Sequence, residues 1–159
     1  MTVQQTEDAR RRAFYEALDI AQFAEDTAGE AWALMARMLF VEGKPRFPTI
    51  AADLTLSPPQ AIVMRLLVEP RKMGELATAM ACDASNVTGI VDRLEERGLV
   101  ERRLAEYDRR VKLIAATKRG QKLRDELNRR LAQPPEPLKR LSEKDKRTLR
   151  DILRKAFEE

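Results

Sequence analysis

The stretch LVERRLAEYDRRVKLIAAT, Leu99 to Thr117, constrains the fold more than any other, because most of the remaining chain reads as helix. Val100, Arg102 and Leu104 alternate with Glu101 and Arg103. Beyond a turn, Val111, Leu113 and Ala115 alternate with Lys112 and Ile114. A period of two sends neighbouring side chains to opposite faces of a strand, so the stretch reads as a β-hairpin. Its tip, Asp108-Arg109-Arg110, lacks glycine and carries two adjacent guanidinium groups. A mainly α chain therefore has to hold a basic β-turn between two helices.

The charge distribution singles out the same region. Over the whole chain the net charge is +4, a mild bias toward polyanions. From Arg102 to Arg124, however, nine basic residues stand against two acidic ones, a local net of +7. From Met1 to Glu30, three basic residues stand against seven acidic ones, a local net of −4. Charged residues make up 35% of the chain, which fits amphipathic helices with solvated faces. There is no histidine and only one cysteine. Most zinc chemistry, a Ser-His-Asp triad, a Cys-His pair and an internal disulfide are thereby excluded as readings. No Gly-rich phosphate loop or acid/base dyad is present, so the chain reads as a non-enzyme without metal or cofactor. No apolar run approaches the ~20 residues of a membrane span, and the expected location is the cytoplasm.

Along the chain, Phe14, Leu18, Ala21 and Ala24 follow helical spacing from Thr6 to about Asp26, and a second helical run extends from Glu30 to Phe40. EGKPRFP, Glu42 to Pro48, interrupts the pattern. Ser57, Pro58 and Gln60 form a capping-box start for a helix ending near Pro70. A short helix from Gly74 to Met80 and a longer one from Ala84 to Arg97 follow, with Asp83 as N-cap and Gly98 as left-handed C-cap. Thr117 caps a helix to about Leu131, which Pro134, Pro135 and Pro137 stop. Ser142 caps a last helix with Leu149, Ile152, Leu153 and Phe157 on one face.

Helix, short helix, turn, second helix and β-hairpin, in that order, make a winged helix-turn-helix. Leu76, Ala77 and Met80 bury the short helix, and Val87, Ile90, Val91 and Leu94 bury the inner side of the next. Ser85, Asn86, Thr88, Gly89, Asp92 and Arg93 are left facing outward. Small polar side chains on an exposed helix can enter a major groove and reach base edges. Cys82 lies in the turn and reads as a buried structural thiol.

The segments LTLSPPQAIVMRLL, MGELATAMACDASNVTGIVDRLEERGLVERR and YDRRVKLIAATKRG together resemble the multiple-antibiotic-resistance regulator (MarR) family of transcription factors. The likeness runs from Leu54 to about Leu131 and includes an Asp-x-Arg wing signature at Asp108 and Arg110. It implies a homodimer whose terminal helices interlock, residues 1–53 and 117–159 serving dimerisation and residues 54–116 forming the DNA-binding domain. It also implies a repressor on a palindromic double-stranded operator, released by a small aromatic or lipophilic effector. The recognition helix would use Ser85, Asn86, Thr88, Gly89 and Arg93, and the wing Arg103, Asp108, Arg109, Arg110 and Lys112. One wing arginine would enter the minor groove, with Asp108 holding an arginine side chain in place. Trp32, Met35 and Met64 are candidates to line the effector pocket. Ala81 stands where the family often has glycine, and Asn86 where it more often has threonine. The alternative function is a winged-helix protein-interaction adaptor without DNA binding.

Overall fold

A computed structural model of the chain describes residues 20–40, 46–106, 108 and 110–158. Most of the helix expected over Thr6 to Asp26 lies outside them, as do the Arg10-Arg11-Arg12 run and Arg109. The described end of that helix is a 3-10 turn, Ile20–Phe23. The next helix, α1 (Thr27–Phe40), starts earlier than Glu30, because Asp26 accepts the Gly29 N–H at 2.7 Å and fills the N-cap role.

The chain divides into two compact units, residues 46–133 and the two ends of the chain taken together. The central unit begins with a helix that the proline-rich sequence concealed, α2 (Arg46–Asp53). Next come α3 (Pro58–Leu66), α4 (Met73–Ala79), α5 (Ala84–Glu96), β1 (Val100–Leu104), β2 (Lys112–Ala116) and α6 (Lys118–Leu131). The terminal unit adds α7 (Glu136–Lys139) and α8 (Glu143–Phe157) to α1. The core of the central unit is built from Met64, Leu67, Leu76, Val87, Val91, Leu94, Leu99, Ile114 and Leu127, each at most 2% exposed. The helices α2 and α6 pack on each other and on α3, so both belong to this unit.

Local chemistry explains where the elements start and stop. Ser57 and Gln60 exchange hydrogen bonds in the expected capping box, Ser57 N–H to Gln60 Oε1 at 2.9 Å and Gln60 N–H to Ser57 Oγ at 3.4 Å. Gly98, at φ +66°, closes α5 in the left-handed region. Asp83 occupies the N-cap position of α5, but its side chain makes no cap bond. The strands pair antiparallel in the register Val100↔Ala116 through Leu104↔Lys112.

The expected alternation in the hairpin is only partly kept. Ile114, placed by it with solvated Lys112, is buried, as is its neighbour Ala115. Strand β2 packs against both α4 and α6, and Arg71 bridges its outer edge through paired backbone bonds with Ile114, 3.0 and 2.8 Å long. The hairpin is thus extended by a single-residue third strand.

Among the described residues two non-glycine positions hold a positive φ, Thr55 at 56° and Ala81 at 49°. Thr55 closes α2, and the guanidinium of Arg97, the C-cap of α5, donates to its carbonyl at 2.7 Å and its hydroxyl at 2.8 Å. Ala81 sits in the turn between α4 and α5 with no such clamp. Glycine there would relieve the strain, and Ala81→Gly is expected to raise stability by about 1 kcal/mol, read as a higher denaturant midpoint. A lower midpoint would mean that the methyl group packs usefully in the turn.

Candidate nucleic-acid interface

The second helix of the helix-turn-helix, α5, presents two faces. Val87, Val91 and Leu94 are fully buried, whereas Ser85, Asn86, Thr88, Gly89 and Arg93 are exposed. The Thr88 hydroxyl donates to the Ala84 carbonyl at 2.8 Å, so toward a ligand it offers acceptor lone pairs. Asn86 is exposed with both halves of its amide available. Cys82 is half-buried rather than sealed in, beside a shallow depression that Thr78, Asp83 and Asn86 help to line.

The wing brings a second set of groups alongside. Arg103, Arg110 and Lys112 are exposed, and among the described residues neither they nor Arg93 form an ion pair. Asp108 bonds to the backbone of the turn, and the expected grip on an arginine side chain falls partly on Arg109, outside the described residues. The Asp108 Oδ1 accepts the backbone N–H of Arg110 at 2.8 Å, and its carbonyl accepts the Val111 N–H at 3.0 Å. The carboxylate therefore shapes the turn that carries Arg110 and grips no described arginine side chain.

Not all of the basic cluster between Arg102 and Arg124 faces outward. The Arg102 guanidinium is held by Asp92 and Glu95 of α5, and its backbone N–H donates to Glu95 Oε1 at 3.2 Å. The hydrogen bond to Asp92, helped by the charge of Glu95, pushes its pKa above the ordinary arginine value. Arg124, only 14% exposed in its side chain, donates to the Leu67 carbonyl at 2.6 Å and closes α3. Arg119 donates to the Arg97 carbonyl at 3.1 Å. The cluster thus has an inner set that braces the helix ends and an outer set left for a polyanion.

Sequence reading missed Arg71, Arg97 and the Arg102 pairing. A usable signal for the last was Asp92 and Glu95 themselves, carboxylates on α5 that call for a counter-charge nearby. Of the residues considered for an effector pocket, Trp32 is 55% exposed and Met35 half-buried on α1, while Met64 is fully buried inside the central unit. Among the described residues no group of three or more His, Cys, Asp or Glu could hold a metal ion. No described helix is long and apolar enough to cross a membrane.

Comparison with known proteins agrees with this geometry. The MarR family model matches residues 56–112, from two residues before α3 to the first residue of β2. A structure of a MarR family protein from Bacillus stearothermophilus superposes with a TM-score of 0.69 at 26% identity, covering 84% of this chain and 94% of that one. The chain belongs to the MarR family. YfiV, an uncharacterised HTH-type transcriptional regulator of Bacillus subtilis, is 38% identical over 72 residues, 44% of this chain. That match spans only 45% of YfiV, and it lies within a family of transcriptional regulators rather than enzymes. CouR from Rhodococcus jostii RHA1, solved with p-coumaroyl-CoA bound, is 30% identical with a TM-score of 0.57, covering 86% of this chain and 98% of CouR.

Proposed function

We propose that this MarR family regulator is a cytoplasmic dimeric repressor that binds a palindromic operator and is released by a small aromatic or lipophilic effector. One observation carries the reading: the polar face of α5 lies beside a wing whose Arg103, Arg110 and Lys112 side chains form no ion pair among the described residues. Ser85, Asn86, Thr88, Gly89 and Arg93 would face the major groove, with the amide of Asn86 suited to bidentate pairing with adenine. Arg110, on the turn that Asp108 braces, would enter the adjacent minor groove, where narrow A·T tracts concentrate negative potential. Arg103, Lys112 and Arg109 would add phosphate contacts.

Dimerisation is supported by apolar side chains the terminal unit leaves bare, among them Phe23, Trp32, Leu34, Ile152 and Phe157. Helices with one uncovered apolar stripe need a partner to be stable. In such a dimer the recognition helices would lie about one DNA turn, ~34–36 Å, apart. The ligand carried by CouR supports an effector of aromatic acyl type, and Trp32 and Met35 offer the apolar surface for it. Met64, fully buried in the core of the central unit, offers no such surface.

Selection of bound fragments from random DNA by the full-length protein tests the proposal. A two-fold symmetric consensus is expected. Arg110→Ala should weaken binding to it roughly tenfold, while Asn86→Ala should relax preference at one base pair per half-site by ~1–3 kcal/mol. A protein that enriches no sequence, with affinity that does not fall as salt rises, would favour the adaptor reading instead.

A further inference from the structure

The recognition helix contains a glycine for which the fold supplies no reason. Successive residues of an α-helix are rotated by ~100° about its axis. Measured from Gly89, the buried Val87 and Val91 each lie ~160° away and Leu94 ~140° away. Gly89 therefore occupies the line of α5 farthest from the core. Ser85 and Arg93 flank it at ~40° and Asn86 at ~60°.

Glycine is kept in folds chiefly for a positive φ or for close approach. Gly98 shows the first, at φ +66°. Gly120 shows the second, since a Cβ there would stand 1.9 Å from the Leu99 carbonyl oxygen. Gly89 shows neither, because its backbone is not left-handed and an added Cβ would meet nothing within 4 Å beyond its chain neighbours and the backbone of its own helix. Gly74 is equally open, but it lies in the first turn of α4, where little helix depends on it. At the centre of the 13-residue α5, glycine weakens the helix relative to alanine.

We propose that Gly89 determines specificity by setting how deep α5 seats in the major groove, where its bare Cα packs against a thymine 5-methyl group. The inference rests on the DNA-binding reading above. With no side chain at the leading line of the helix, the short groups of Ser85 and Asn86 reach base edges that a longer residue at position 89 would hold out of range. The backbone N–H and C=O of Gly89 are engaged within the helix, so the surface it offers is apolar. On the major-groove edges of the bases, the apolar group is the thymine methyl.

The test compares full-length wild type and Gly89→Ala in three measurements: thermal unfolding without DNA, affinity for the selected operator, and affinity for operators with single thymines replaced by uracil. The variant is expected to melt about 2–4 °C higher and to bind about tenfold more weakly. One thymine in each half-site should lose about fourfold in wild-type affinity on replacement by uracil, with no further loss in the variant. A lower melting temperature would give Gly89 a packing role and overturn the inference. Unchanged affinity, or indifference to every uracil, would overturn it equally. A wild type that selects no DNA at all would instead bring down the DNA-binding reading beneath it.

Discussion

Alanine in place of Gly120 is expected to lower stability by about 3 kcal/mol, seen as a marked fall in the urea midpoint. Gly120 lies in the first turn of α6, where its N–H donates to the capping Thr117 Oγ1 at 3.1 Å. That hydroxyl in turn donates to the Gly98 carbonyl at 2.8 Å, and the Thr117 N–H donates to the Leu99 carbonyl at 3.1 Å. The end of α5, the entry to β1 and the start of α6 are thus laced together at one point. A Cβ at residue 120 would meet Leu99 O at 1.9 Å, Leu99 C at 3.0 Å and Met64 Cε at 3.1 Å. The two nearest atoms are backbone and cannot rotate aside, so α6 must lift and loosen the packing of fully buried Leu127. Gly74→Ala is the matched control, because a Cβ there meets nothing. If both variants unfold at the same urea concentration, α6 shifts more freely than its lacing implies.

Removing the guanidinium of Arg102 should weaken operator binding about a hundredfold while leaving the urea midpoint nearly unchanged. Exposed ion pairs add little stability, typically ~0–1 kcal/mol. The consequence lies at α5, the proposed DNA-facing helix, where Asp92 and Glu95 would lose their counter-charge. In a dimer both recognition helices would carry bare carboxylates toward phosphate, and a cost of about 1.4 kcal/mol from each multiplies to about a hundredfold. A direct phosphate contact by Arg102 could produce the same initial loss, and a rescue experiment separates the two. Adding Asp92→Asn and Glu95→Gln to Arg102→Ala removes the unpaired charges, and most of the affinity should return. Failure of that rescue would make Arg102 a phosphate ligand rather than a shield.

What the sequence revealed and concealed follows from the range of the interactions. Caps act within one helical turn, so Ser57, Gly98, Thr117 and Ser142 marked element ends correctly. The inward and outward faces of α5 were legible because helical periodicity is local. Helix α2 was not, because Pro48 looks like a breaker. It sits in the first turn of that helix, where a backbone N–H has no intrahelical partner to lose. The Arg71–Ile114 bridge was invisible because one residue shows no period. Arg102 looked like an outward charge, since its partners lie a turn earlier on another element. Asp108 was placed in the turn by its family signature, but sequence alone did not separate a bond to an arginine side chain from one to the Arg110 backbone.

The clamp of Arg97 on left-handed Thr55 bears on how the winged unit can be moved between proteins. A fragment cut at residue 54 and ended at 116 would keep the helix-turn-helix and the wing. It would lose buried Ala51, and with it the α2 turn that sets Thr55 against Arg97. It would also lose Arg124, which closes α3. Within the central unit, Arg46 donates to the Arg130 carbonyl at 3.2 Å, joining the helices that open and close the unit. A chimaera meant to carry the proposed DNA-binding surface therefore has to take residues 46–133, both bracing helices included.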